Sequence, residues 1–152
     1  MAKDAASGLE AHLGYWLRYV SNHVSHAFAA KLAGRGVTVA EWVVLRQLYD
    51  DGAVAPSYLA DRLGMTRGAI SKLAERLALK SLIARKDSRG DRRSHLLEIT
   101  NAGRALVPEL AALADRNEEE FFGHLSPRAR KEIADVMMEI VRRGAFRSVP
   151  VD

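Results

Sequence analysis

Thr66, Arg67, Gly68, Ser71 and Lys72 are the densest run of groups able to do chemistry in this chain of 152 residues. Two cations, two hydroxyls and a residue without a side chain follow one another at helical spacing. Such a set suits a polyanion that also carries readable edges. A guanidinium can grip guanine O6 and N7 with two parallel hydrogen bonds, a hydroxyl can bond a base or a phosphate, and a glycine lets backbone approach closely. Ser71 is equally consistent with a solvated polar position. Arg76, one turn further on, can neutralise a phosphate or pair with Glu75 or Asp61. Downstream, the segment DSRGDRRS places Arg89, Arg92 and Arg93 in a short basic turn. Arginine on such a tip can enter a narrow minor groove. Arg92 is favoured for the tip. Arg93 can instead brace the turn against Asp87 or Asp61, and which arginine is structural stays open.

The charge is concentrated where those groups lie. Residues 61–93 hold ten Lys/Arg against four acids, a surplus of six, although the whole chain carries only +4. The remainder is therefore slightly acidic. Local cationic surplus is what phosphate neutralisation requires, whereas a module that docks another protein would sooner carry a neutral or acidic face.

The elements that must position these groups are legible from periodicity and caps. Residues 56–63 form a short apolar-periodic helix, and Gly64 suits a left-handed end. Thr66 is a good N-cap for a helix from about 67 to 80, with Ile70, Leu73 and Leu77 inward. Strands near 82–86 and 95–99 enclose the basic turn as a β-ribbon. Upstream, Thr38 and Glu41 make a T-x-x-E capping box that opens a helix to about Asp50. The order is helix, turn, helix, strand, tip, strand, a winged helix-turn-helix over residues 38–100. Such a module lays one helix in a DNA major groove with a basic tip beside it.

Two helical arms flank the module. Residues 9–33 carry Leu13, Leu17, Val20, Val24 and Ala27 at 4-3-4-3 spacing, a seam that packs on another helix. Residues 104–146 carry Leu106, Leu110, Leu113, Asn117 and Phe121, then Ile133, Val136, Met137, Ile140 and Val141 after the start signal Ser126-Pro127. Arms this apolar are expected to pair with those of a second copy. The fold expected is thus mainly α with a small β-ribbon: one domain over 1–152, a winged helix-turn-helix flanked by N- and C-terminal dimerisation helices.

A second stripe on the first helix, His12, Tyr15, Trp16, Tyr19 and His23, lies about 100° round from the seam. If Leu13, Leu17 and Val20 face a second copy, this stripe is expected to face the reading module, whose first helix shows Trp42, Arg46 and Tyr49 on one side. Aromatic walls with one cation suit a flat aromatic carboxylate or phenolic ligand, making His12, Tyr15, Trp16, Tyr19, Trp42 and Arg46 the candidate ligand residues. The same residues can equally fill an ordinary junction, with Arg46 paired to Asp50.

Other classes find little in the sequence. There is no Cys, so disulfides, thiolate zinc sites and thiol redox sensing are excluded. His23 and His26 alone are too few for zinc, and neither metal nor cofactor is expected. No nucleophile elbow, phosphate loop or H-E-x-x-H motif occurs, so catalysis is not expected. No secretory leader and no membrane-length apolar run is recognisable, which points to a soluble cytoplasmic protein.

The chain resembles the MarR family of bacterial transcription regulators over nearly its full length. The resemblance rests on PSYLADRLGMTRGAISKLAERL and on DSRGDRRSHLLEITNAGRAL, which is similar to the family's wing signature of an acid, an Arg-rich turn and a closing hydrophobic-Thr pair, here Ile99-Thr100. It implies a triangular homodimer, a repressor in role, on a pseudo-palindromic DNA operator, released by a small anionic aromatic ligand. A DNA-binding regulator with no effector is the alternative. The resemblance assigns DNA contact to Thr66, Arg67, Gly68, Ser71, Lys72, Arg76, Arg89, Arg92 and Arg93.

Overall fold

The computed structural model describes residues 6–87 and 95–144. After a single 3-10 turn, Leu9–Ala11, the chain forms α1 (Leu13–Ala33), α2 (Val39–Asp51), α3 (Pro56–Leu63), α4 (Arg67–Leu79), strands β1 (Ile83–Asp87) and β2 (His95–Ile99), α5 (Asn101–Phe122) and α6 (Pro127–Gly144). The expected class, mainly α with a small two-stranded ribbon, is the one observed.

Local chemistry explains most boundaries. Thr38 and Glu41 form the full capping box: Thr38 Oγ1 accepts from Glu41 N at 3.1 Å, and Glu41 Oε1 accepts from Thr38 N at 3.3 Å. Pro56 opens α3, where a missing amide costs nothing. Gly64 closes that helix at φ 65°, a left-handed conformation glycine adopts without strain. Thr66, Thr100 and Ser126 each accept from the backbone amide three residues on. One boundary differs from expectation. The first α-helix starts at Leu13, because His12 is extended at φ −103°, ψ 125°. Its Nδ1 lies 3.0 Å from Gly8 O, and Trp16 Nε1 donates to Glu10 O. Side chains thus take up carbonyls that a continuous helix would have used.

The core joins the three helices of the reading module to the ribbon and to α5. Leu32, Val44, Leu45, Leu48, Leu59, Ile70, Leu77, Leu97 and Leu110 are wholly buried. The strands pair antiparallel from Ile83 opposite Ile99 to Asp87 opposite His95. Val54, in the link between α2 and α3, adds a bridge to β2: its N donates to Leu97 O at 2.9 Å and Leu97 N donates back at 2.8 Å. The ribbon is thereby tied to the helices at its base. Gly103 lets α5 meet that base. A Cβ there would lie 2.3 Å from Leu82 O and 2.6 Å from Ile99 Cγ1.

Two polar links cross between elements. Asn117, buried on α5, donates to Val24 O at 3.1 Å and accepts from Lys31 Nζ at 3.0 Å, which fastens α5 to α1. Glu41, only 1% exposed, accepts from Lys80 Nζ at 2.7 Å, joining the start of α2 to the residue that ends α4. Burial works to raise the Glu41 carboxyl, but the Lys80 ammonium and the Thr38 bonds outweigh it and hold it below its ordinary 4.5.

Two predictions follow from this packing. Gly103→Ala is expected to lower stability by about 1–3 kcal/mol in urea unfolding, because overpacking against backbone exceeds the roughly 1 kcal/mol gain in helix propensity. For Glu41, a depressed carboxyl contributes stability that is complete above about pH 4.5 and is lost as pH falls through the depressed value. Lys80→Met removes the cation, so burial is left to raise the carboxyl. The variant should be about 1–3 kcal/mol less stable at neutral pH and gain on wild type as pH drops. Parallel loss of stability in both proteins on acidification would refute the assignment.

Candidate nucleic-acid interface

The surface charge of α4 follows from how its apolar stripe is used. Ile70, Leu73, Ala74 and Leu77 are buried, and each large member gains about 1.5–3 kcal/mol on leaving water. That face is spent on the core. Thr66, Arg67, Gly68, Ser71, Lys72 and Arg76 are consequently all exposed. Met65 N donates to Ala60 O at 2.9 Å, which closes the turn between α3 and α4. Thr66 Oγ1 is already engaged by Ala69 N at 3.1 Å, so its hydroxyl is left as a donor. An added Cβ at Gly68 would meet nothing within 4 Å. Glycine is therefore not needed there for internal packing, and the open space lies toward solvent.

Among the described residues, Arg67, Lys72 and Arg76 have no acid within ion-pair distance. The pairing of Arg76 with Glu75 or Asp61 that the sequence allowed is not made. Most other exposed cations are paired, including Arg35 with Glu109 at 2.7 Å and Lys131 with Asp135 at 2.6 Å. Cations without internal partners on one helix face are suited to an external polyanion.

Sequence reasoning passed over neighbours of this face. Tyr58 and Arg62 on α3 and Arg85 on β1 are exposed. Arg85 lines a shallow depression with Glu75, Ala78 and Leu79. Arg62 and Arg85 counted toward the local charge, but only the packing of α3 and β1 against α4 makes them its neighbours. Arg89, Arg92 and Arg93 lie outside the described residues.

The candidate ligand residues divide into two groups. Tyr15, Trp16, Tyr19 and His23 stack along α1, with Tyr15 and Trp16 centroids 5.2 Å apart and Tyr19 and His23 5.0 Å apart. Trp42 instead packs edge-on against Phe28 at 6.4 Å. At 1.5 Å per residue, Phe28 lies about 14–18 Å along the helix from Tyr19 and Trp16. The expectation that the stripe faces its own reading module is corrected. The C-terminal part of α1 enters the core through Leu32 and packs on α5, while Trp16, Tyr19 and His12 remain exposed. Arg46 pairs with Asp50 at 2.9 Å and lies 5.6 Å from the Tyr49 ring centre. Arg104, at 5.4 Å, is a second cation at that ring.

This geometry meets known proteins at the same place. A family model described as MarR family matches residues 35–94, from the turn after α1 to the residue before β2. The chain is 30% identical over 92 residues to the HTH-type transcriptional repressor YetL of Bacillus subtilis, covering 59% of this chain and 55% of the relative. It is 36% identical over 78 residues to the repressor MdtR of the same organism, covering 51% and 50%. These matches span about half the length of the two curated relatives. A solved structure of Bordetella bronchiseptica BpsR, described in terms of regulation of its DNA binding by 6-hydroxynicotinic acid, superposes with a TM-score of 0.80 at 26% identity, covering 90% of this chain and 97% of that one.

Residues 35–94 of the chain are thus similar to the MarR family. The match is centred on the winged helix-turn-helix, and the BpsR likeness extends it to both arms. Were the exposed face of α4 to meet a duplex, Arg67 in its first turn would be placed against base edges. Arg67→Ala is therefore expected to weaken binding to a preferred duplex by about 1–3 kcal/mol while changing binding to unrelated DNA much less. Fluorescence anisotropy on both duplexes at several salt concentrations measures the difference. An equal loss on both would make Arg67 a phosphate contact.

Proposed function

We propose that the protein is a homodimeric, sequence-specific DNA-binding transcription regulator that acts as a repressor on a pseudo-palindromic operator. The observation that carries this reading is the exposed face of α4, where Arg67, Lys72 and Arg76 stand without acid partners among the described residues. Thr66, Gly68 and Ser71 complete the base-reading set. Arg89, Arg92 and Arg93 are assigned to the wing by sequence. The similarity to the MarR family supports transcription regulation rather than catalysis, and no described helix is long and apolar enough to cross a membrane.

The arms support dimerisation. Leu13 is 87% exposed, and Leu17, Val20, Ile133, Val136, Met137, Ile140 and Val141 are exposed as well. Apolar faces of this extent on two helices mark an interaction surface. A second copy satisfies them and sets two α4 helices on half-sites about 34–36 Å apart. Light scattering at micromolar concentration should give twice the chain mass, and Val136→Asp with Ile140→Asp should give the monomer and abolish operator binding. A wild-type monomer would overturn the dimeric reading.

We also propose a small anionic aromatic effector, with Arg46 exchanging Asp50 for the ligand carboxylate beside Trp42. His12, Tyr15, Trp16 and Tyr19 join that site only if another copy's α1 brings its stripe there. The BpsR likeness supports an aromatic acid as the class. A ligand favouring one separation of the two α4 helices shifts the dimer population away from the DNA-competent form. The Arg46–Asp50 pair and the Phe28–Trp42 contact favour a second reading, a regulator with no small-molecule effector. Calorimetry with 6-hydroxynicotinic and salicylic acids decides between them. Heat with wild type that is lost in Arg46→Ala and weakened by operator supports the effector, and no heat with either acid supports the second reading.

A further inference from the structure

Lys80 ends α4, and its side chain does something that α4 itself does not need. Its Nζ donates to Gly36 O and to Glu41 Oε2, both at 2.7 Å. The first partner lies in the turn after α1 and the second in the first turn of α2. Glu41 also uses Oε1 to accept from Thr38 N. One ammonium therefore fastens the end of α4 to the junction where the N-terminal arm enters the reading module.

The capping box does not explain the charge. Gln at Glu41 would accept from the Thr38 amide equally well, without placing a carboxylate in a site where Glu41 is 1% exposed. A buried carboxylate is tolerated when a cation meets it, and Lys80 is the cation that does so. The charge is thus matched to the clamp. Besides the turn bond from Met65 N to Ala60 O, which holds its first end, the anchors along α4, Ile70, Leu73 and Leu77, are apolar and non-directional. They fix how deeply the helix sits but constrain its tilt only weakly. Two directional hydrogen bonds at one end supply that constraint. Thr66 and Lys80 are 14 residues apart, about 21 Å of helix, so a tilt of about 5° at the clamp moves the reading end by about 2 Å. That displacement exceeds the tolerance of a bidentate base contact.

We propose that the Lys80–Glu41 pair, bridged to Gly36, is the positioning device that aims α4 for base discrimination and ties that aim to the α1 arm. This rests on the DNA-reading function proposed above. Lys80 acts as a positioning residue, and Glu41, being buried, touches no DNA.

The test uses the full chain and two DNA probes: a duplex selected from a random pool on the wild-type protein, and poly(dI–dC). Wild type, Glu41→Gln, Lys80→Met and Lys80→Arg are compared below their melting onset, with folding checked by circular dichroism. Glu41→Gln and Lys80→Met should each lower the ratio of selected to unselected affinity about tenfold, on the scale of one lost bidentate base contact, with unselected binding changed only about twofold. Lys80→Arg, which keeps donors for both oxygens, should retain most of the ratio. If Lys80→Met weakens both probes alike and Glu41→Gln changes neither, Lys80 is a phosphate contact and the proposal fails. A fall in Tm with an unchanged ratio makes the pair purely structural and also overturns it. If selection on wild type yields no preferred duplex, the DNA-reading function fails, and the aiming role falls with it. Glu41→Gln, the mildest change, keeps the test open if Lys80→Met does not fold.

Discussion

The reading helix has to bury one face and leave the other unsatisfied, and the rest of the molecule follows from that demand. Ile70, Leu73 and Leu77 supply the buried face, and the core of α2, α3, β1, β2 and α5 is shaped to receive them. Hydrophobic burial is strong enough to hold such a helix but indifferent to direction. Polar contacts then refine it: the Thr66 cap at one end and the Lys80 ammonium at the other. A helix packed on all sides would offer no charged surface, and one held only by its exposed charges would have no fixed geometry.

The same division of labour holds between module and arms. The reading module completes its own core within one chain, down to the bridge between Val54 and Leu97. The arms do not. α1 is fixed at its C-terminal part by Leu32, by Asn117 on the Val24 carbonyl and by the Lys31 bonds, while its N-terminal half and α6 keep apolar side chains in solvent. One part of the chain buries its apolar side chains, and another leaves them exposed. Gly103 marks the seam between them, where α5 leaves the ribbon with no room for a side chain.

Polar links among the described residues also tie α1, the turn after it and α2 to the elements they pack on. Arg35 reaches Glu109, Lys31 reaches Glu120, and Lys80 reaches Gly36 and Glu41. The first two are exposed or half-exposed and contribute little to stability, because water and salt screen them. The third is shielded at its carboxylate. Buried geometry, more than the number of ion pairs, separates the contact able to set an angle from those that only decorate a surface.

The amino-acid sequence by itself determined the local elements and the chemistry of the reading helix. Caps at Thr38, Thr66, Thr100 and Ser126, the left-handed Gly64 and the 3.6-residue stripe of α4 act within one or two turns, so they can be read without knowing the neighbours. The concentration of positive charge over 61–93 is likewise a property of order along the chain. Contacts between distant positions were decided only by tertiary structure. Glu41 reads as a capping residue and nothing in its own segment announces a lysine 39 residues away. The aromatic stripe of α1 has a helical period, but period fixes which residues share a face and not what that face meets. It was packing of α1 on α5 that turned the stripe away from α2, whereas the Arg46–Asp50 pair, four residues apart on one helix, was already legible in the sequence. Local hydrogen bonding is encoded locally, whereas the partner of a surface is chosen by how the whole chain buries its apolar area.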